Sequence, residues 1–377
     1  MSSQVFFHSA RSSARKNRLA KVSELFKKAD FSSLIARGDR VAVKVHWGEP
    51  GNVGFVPVPY VRVIVDLVKQ AGGVPFVTDT NTLYTGMRRD AVQNLEAAAS
   101  NGYSQLTLGA PLIVADGLKG RDAREIPIEG TLCHSAKIAS AIADADAMIV
   151  VSHVKGHMLF GYAGAIKNLG MGCSTPAGKQ HLHSDIRPEV DVESCHGDGI
   201  CVKRCPERCI EMVERQGASP GGQASPKVAR IDTARCVGCG ECTTTCPHAA
   251  IPIRWESSAE SLLMRTAEYA WASVKDKPGK VGYLNLIIQV NPDCDCCDWN
   301  DNPVVADVGF ASSVDPVALD VACADLVKSA PVLPSSKLEQ YKGNDVWRGI
   351  CDVPYRRIFA HAQKMGLGRQ EYELIKL

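Results

Sequence analysis

The sequence predicts an α/β protein: a largely parallel sheet domain interrupted by a small, cysteine-rich α+β module. Three observations carry this. Apolar strand-like runs alternate with helical periodicity on both flanks of the chain. A run near the middle reads Cys236-Val-Gly-Cys239-Gly-Glu-Cys242-Thr-Thr-Thr-Cys246-Pro247. An altered copy lies upstream as Cys195-His-Gly-Asp198-Gly-Ile-Cys201-Val-Lys-Arg-Cys205-Pro206.

The elements follow in order. Val5–Phe7 reads as a first strand, and Leu19, Val22, Leu25 and Phe26 give an amphipathic helix over Leu19–Lys28. The stretch from Met1 to Lys28 is rich in Ser, Arg and Lys, as organellar transit peptides are, but the strand and helix explain it better. Val41–Val45 is a short apolar strand, and Val58–Gln70 is a helix ending at Ala71-Gly72-Gly73. Val74–Thr78 is a strand, and Arg88–Ser100 a helix ending at Asn101-Gly102. Leu112–Ala115 and Ala147–Ser152 are further strands, with a helix expected over Ser135–Ala143 between them. Beyond the module come a helix at Ala259–Val274 and a strand at Leu284–Val290. Last is a helix at Asp315–Lys328, with Asp315 as N-cap and Pro316 in the first helical position. Neither flank closes a domain alone. The expected division is a discontinuous α/β domain of residues 1–189 and 255–377, with residues 190–254 inserted. Within the insert, the Gly/Ser/Pro stretch from Gln216 to Pro226 enlarges the turn of a small hairpin.

The gaps within the two cysteine runs are those of bacterial two-cluster ferredoxins, where the cysteine before each proline serves the other cluster. One [4Fe-4S] cluster would take Cys205, Cys236, Cys239 and Cys242. The other would take Cys195, Cys201 and Cys246, with Asp198 at the fourth corner. A carboxylate is a harder ligand than a thiolate and holds iron less tightly there. The expectation is a [3Fe-4S] cluster, or a [4Fe-4S] cluster with one exchangeable iron. Cys209 sits where the second run has Ala250 and reads as a packing thiol.

Composition bounds the rest. A chain of 377 residues with 45% hydrophobic and 22% charged residues is ordinary for a globular protein of two or three domains. A formal net charge of +2 gives no reason to expect nucleic acid. No apolar run is long enough to span a bilayer; Asp144 and Asp146 break the best candidate. Fifteen cysteines, clustered at metal-ligand spacing, point to a reducing compartment, most simply the cytoplasm.

Chemistry-bearing residues collect after strands, where open α/β sheets place their sites. Val41–Val45 carries Lys44 and leads into His46-Trp47-Gly48-Glu49. Val74–Thr78 leads into Asp79-Thr80-Asn81, and Ala147–Val151 into Ser152-His153-Val-Lys155-Gly-His157. Lys167 lies in Gly161-Tyr-Ala-Gly164-Ala-Ile-Lys167-Asn168, where glycines would suit an anion at a helix start. His181 and His183 follow just before the insert and are candidates for its interface with the site. Cys294-Asp295-Cys296-Cys297 interleaves thiols with a carboxylate, which suits a transition metal at Cys294 and Cys296 or a redox-active thiol pair. Cys133, Cys323 and Cys351 read as core residues.

Taken as a set, the motifs resemble the uncharacterised iron–sulfur-centre proteins built on the domain of unknown function 362. The resemblance rests on Lys44-Val-His46-Trp-Gly48-Glu49, Asp79-Thr-Asn81-Thr-Leu-Tyr84, His153-Val-Lys155-Gly-His157 and Gly164-Ala-Ile-Lys167-Asn168-Leu-Gly-Met-Gly-Cys173. Cys294-Asp295-Cys296 and Ser313-Val-Asp315-Pro-Val-Ala-Leu-Asp320 complete it. It spans nearly the whole chain and implies the same inserted layout but no assured reaction. Asp198 departs from the four-cysteine pattern common in such inserts. The function expected is an iron–sulfur oxidoreductase that exchanges electrons with a redox partner protein. Lys44, His46, His153, Lys155, His157 and Lys167 would bind a small anionic substrate and move protons. The competing expectations are a non-catalytic electron-delivery subunit and a protein that delivers or senses metal or clusters.

Overall fold

The computed structural model describes residues 2–83, 86–183, 188–205, 207–215, 226–236, 241–252 and 259–377. In chain order its strands are β1 (Ser3–Ser9), β2 (Arg40–Lys44), β3 (Val74–Asp79), β4 (Leu112–Val114), β5 (Ala123–Pro127), β6 (Ser135–Ala139) and β7 (Ala147–His153). There follow β8 (Lys155–His157), β9 (Gly161–Ala163), β10 (Ile210–Glu214), β11 (Lys227–Ile231), β12 (Val281–Ile287), β13 (Gly309–Ser313) and β14 (Tyr372–Lys376).

The central sheet has eight strands in the order β14-β1-β13-β12-β7-β2-β3-β4. Pairing runs parallel from β12 through β7, β2 and β3 to β4. Only β13 runs against the others, antiparallel to both β1 and β12. Strands from residues 1–189 and from residues 255–377 therefore share one sheet. The result is a mixed α/β fold with a large, mostly parallel sheet.

Period-two alternation sends side chains to opposite faces, and the core follows it. Met148 and Val150 of β7 join one apolar layer, while Ala147, Ile149 and Val151 join the other. Helices Arg18–Lys28 and Val58–Gln70 cover the second face, where Val22, Leu25, Phe26, Val61, Ile64 and Val65 are buried. Helices Ala259–Val274, Pro316–Lys328 and Arg357–Lys364 cover the first. Strands buried on both faces read as continuous apolar runs, which is why β2 and β7 were legible.

Asp315 caps its helix as expected, accepting from Val317 N at 2.9 Å and Ala318 N at 3.0 Å. The helix expected over Ser135–Ala143 is instead strand β6 followed by one short helical turn, Ser140–Ala143. Pairing with β5, a segment with no apolar signal of its own, overrides the local pattern. The strand expected at Leu284–Val290 begins three residues earlier, at Val281. The helix expected from Arg88 begins at Ala91, because Asp90 caps it.

Among the described residues of 190–254, none joins the large sheet. They form the β10–β11 hairpin and two short helices, Ile200–Arg204 and Glu241–Thr245, which pack on each other. Most of the expected Gln216–Pro226 turn lies outside the described residues.

Candidate functional site

Neighbouring strands lie about 4.8 Å apart, so the carboxyl ends of β7, β2 and β3 stand side by side. The chain runs outwards from β2 to β3 and β4 on one side, and to β7 and β12 on the other. Such a switch in strand order leaves a crevice above the sheet. A cavity of about 440 Å³ lies there. Its wall includes His46, Lys155, His157, Lys167 and Cys296. His153 lines it too, so five of the six sequence-predicted Lys/His side chains meet in one space.

The sixth, Lys44, lies directly beneath. It is fully buried, and its Nζ donates to Asp79 Oδ1 at 2.9 Å, Asn168 Oδ1 at 2.7 Å and Val45 O at 2.7 Å. Asp79 also accepts from Arg88 Nη1 at 3.1 Å, and Arg88 Nε donates to Glu49 at 2.9 Å. Arg88 Nη2 sits 3.2 Å from His46 Nε2. Burial, with Arg88 alongside, holds the His46 pKa well below its ordinary value. A buried network of two carboxylates and two cations thus underlies the cavity floor. Arg88 and Lys179 were not singled out from the sequence, because neither falls in a recognisable motif. The signal that could have found Arg88 is the pair Glu49 and Asp79: acids buried at strand ends need a cation. Lys179 donates to Thr80 Oγ1 at 2.7 Å and Asn81 O at 2.8 Å. Burial lowers its pKa to about 8.

The loop after β12 closes the opposite side. Its Asp295 is completely buried and is gripped by His153 Nδ1 at 3.0 Å and by Lys155 Nζ. His153 Nε2 faces Ile288 O at 2.8 Å, so both ring nitrogens are occupied in holding this loop. Glu49 N donates to Asp295 O at 3.0 Å and ties it to the β2 loop. The flanking thiols are thereby fixed against β8: donor atoms of His157, Cys294 and Cys296 lie within 4.8 Å of one another, a group able to hold a metal ion. Lys167 Nζ donates to Cys294 Sγ at 3.4 Å. Burial opposes the Lys167 charge, but Cys294 and Cys296 more than offset it and raise its pKa.

Lys167 and Asn168 are positioned by the short helix Ala165–Gly170. The anion expected at this helix start is supplied by the protein itself. Asp320 accepts from Ala165 N at 2.8 Å, Ile166 N at 2.9 Å and Asn285 Nδ2 at 2.7 Å. Gly172 is a close approach: a Cβ there would lie 2.2 Å from Asn168 O and 2.8 Å from Lys44 Nζ. Gly172→Ala is expected to cost about 1–3 kcal/mol and to part Lys44 from Asn168. Urea unfolding checks this; an unchanged midpoint would show that the backbone gives way freely.

Within residues 190–254, Cys195, Asp198, Cys201 and Cys246 line one small pocket. Asp198 Oδ2 is 3.4 Å from His248 Nε2, and His248 stacks on His196 with centroids 3.9 Å apart. Cys205 and Cys236 pack against the same small core. Cys209 is buried there, with its Sγ 3.4 Å from Cys205 Sγ. Cys242 is buried in that core too, while Cys239 lies outside the described residues. The helix Glu241–Thr245 contacts the helix Pro176–Leu182. That second helix carries Lys179, and His183 follows it; both line the large cavity. His181 instead bonds Tyr269 Oη at 2.8 Å. Cys133 and Cys323 are core residues as expected, and Cys351 is part-exposed. Among the described residues no helix is long and apolar enough to cross a membrane.

Solved structures with a similar course of the chain include the lactate racemase apoprotein from Thermoanaerobacterium thermosaccharolyticum. It is 12% identical, with a TM-score of 0.36 over 75% of this chain and 50% of that one. A protein from Thermotoga maritima is 8% identical, with a TM-score of 0.36 over 73% of this chain and 52% of that one. The chain spans about half the length of each. No curated protein matches it. Residues 41–325 match the profile of the family described as "Domain of unknown function (DUF362)", and the chain belongs to that family.

Proposed function

We propose that this is an iron–sulfur redox protein in which residues 190–254 hold two clusters and exchange electrons with the cavity of the α/β domain. The observation that carries the reading is the meeting of Cys195, Asp198, Cys201 and Cys246 in one pocket. That is the set the crossed-ligand rule selects, with the last member drawn from the other cysteine run. The residues fit the group: three buried thiols and one carboxylate, with Asp198 at the half-exposed edge. Of the second set, the three described members, Cys205, Cys236 and Cys242, share one core. Bound there, clusters supply one-electron steps that side chains cannot.

The chain's own residues supply the rest. The contact between the Cys242 helix and the helix bearing Lys179 gives a short protein route towards the cavity. In the cavity, Lys167 would bind an anionic substrate, while His46, its ring nitrogens facing Gly48 N and Arg88, would accept a proton only if Arg88 shifts. Lys44, His153 and Lys155 act through Asp79 and Asp295 as positioning groups. Clustered thiolates of this kind require a reducing compartment, most simply the cytoplasm, and an external redox protein as partner.

Anoxic purification tests the proposal. About seven or eight irons per chain with matching sulfide, and two cluster signals by EPR, are expected. Cys246→Ala should abolish the signal of the Asp198 cluster and leave the other. Asp198→Cys should convert a three-iron signal into that of a four-iron cluster. Protein that stays colourless and iron-free after reconstitution overturns the reading.

A further inference from the structure

We propose that His157, Cys294 and Cys296 form a mononuclear site for a zinc-class divalent ion, with its open position facing the cavity. Two thiols and an imidazole are a donor set that such an ion prefers. Their donor atoms already lie within 4.8 Å of one another. Three protein ligands leave the fourth position to water or substrate, as in catalytic rather than structural zinc sites. His157 and Cys296 line the cavity wall, so that position has space beside it. Cys294 is fully buried behind them.

The surroundings are built for such an ion. Cys294 Sγ receives Lys167 Nζ and the Cys296 amide, each at 3.4 Å. Donors of this kind orient a thiolate ligand and moderate its charge. Asp295, between the two thiols, is not a third acid ligand, because its carboxylate is held by His153 and Lys155. It locks the loop instead. Phe160 meets the His157 ring edge-on, with centroids 5.0 Å apart, and lies 5.4 Å from Lys167 Nζ. Two thiolates neutralise a divalent ion, so Lys167 leaves the open position net positive. The ligand class that fits is a small anionic oxygen donor, held between the ion and Lys167. The Leu159 amide now lies 3.0 Å from His157 Nδ1. With an ion on Nε2 the ring proton belongs on Nδ1, so metal binding replaces that contact.

The site is independent of the clusters, and its test keeps the two apart. Full-length protein with clusters reconstituted is stripped with a chelator, loaded with zinc and counted by plasma mass spectrometry. One zinc per chain is expected, and the zinc absorption edge should show two sulfur neighbours at about 2.3 Å plus imidazole. Cys294→Ser and Cys296→Ser should each weaken zinc retention at least tenfold, with iron content and cluster EPR unchanged. His157→Cys should keep the zinc and add a third sulfur, which separates loss of a ligand from misfolding. Absence of bound zinc, or retention by both serine variants as tight as in the unsubstituted protein, overturns the site. Zinc that enters only with loss of cluster iron overturns it as well.

Discussion

Asp79→Ala is expected to lower the stability of the α/β domain by about 3–5 kcal/mol, the range for breaking a buried ion pair from one side. The carboxylate lies between Lys44 and Arg88, bonded at 2.9 Å and 3.1 Å, with all three side chains buried. Removing it leaves Lys44 buried without a counter-charge, beside an Arg88 that keeps only Glu49. The cost arises mainly from that uncompensated charge rather than from the lost bonds. Replacing one cation should therefore recover part of it: Lys44→Met should cost less in the Asp79→Ala background than alone. Urea unfolding followed by tryptophan fluorescence suits the test, because Trp47 and Trp347 are both fully buried in this domain. Strict additivity in the double variant would show that Lys44 and Asp79 do not act as a pair.

Acidification should weaken the fold through His181. This half-buried ring bonds Tyr269, and burial, with Arg265 nearby, lowers its pKa from 6.5 to about 4. Its neutral form is thus favoured by folding. Above pH 6.5 the ring is neutral in both states, and the stabilisation is fully present. As the pH falls from 6.5 to 4 the unfolded chain takes up a proton that the folded chain refuses. The folded state should lose about 2–3 kcal/mol across that window. His181→Gln removes the titration, so the stability difference between the two proteins should change with pH in this window alone. Parallel pH profiles would rule His181 out as the source.

Much of the site was legible because its residues follow strands. Lys44, Asp79 and His153 each end or follow an apolar run, and parallel neighbours bring such ends together. The Cys294–Cys296 pair was visible from spacing, but His157 as its neighbour was not, since 137 residues separate His157 from Cys294 in the sequence. Arg88 and Asn168 were illegible as partners for another reason. Each is an ordinary residue whose role comes from the buried acid or lysine it satisfies. The β5–β6 and β8–β9 hairpins were missed because short strands of mixed polarity gain their stability from each other rather than from local pattern.

By itself the sequence determined the alternation of strands and helices, the caps, and the spacing of the two cysteine runs. These are local properties, set by periodicity and by the reach of a short loop. Only the tertiary structure decided that strands from both flanks share one sheet and that Asp320 occupies the Ala165 helix start. It also decided that Asp295 serves His153 and Lys155, leaving the thiols beside it to His157 and Lys167. Each of these depends on which buried charge finds which partner. Burial makes an unpaired charge costly, and pairing across distant segments is settled only when the layers close.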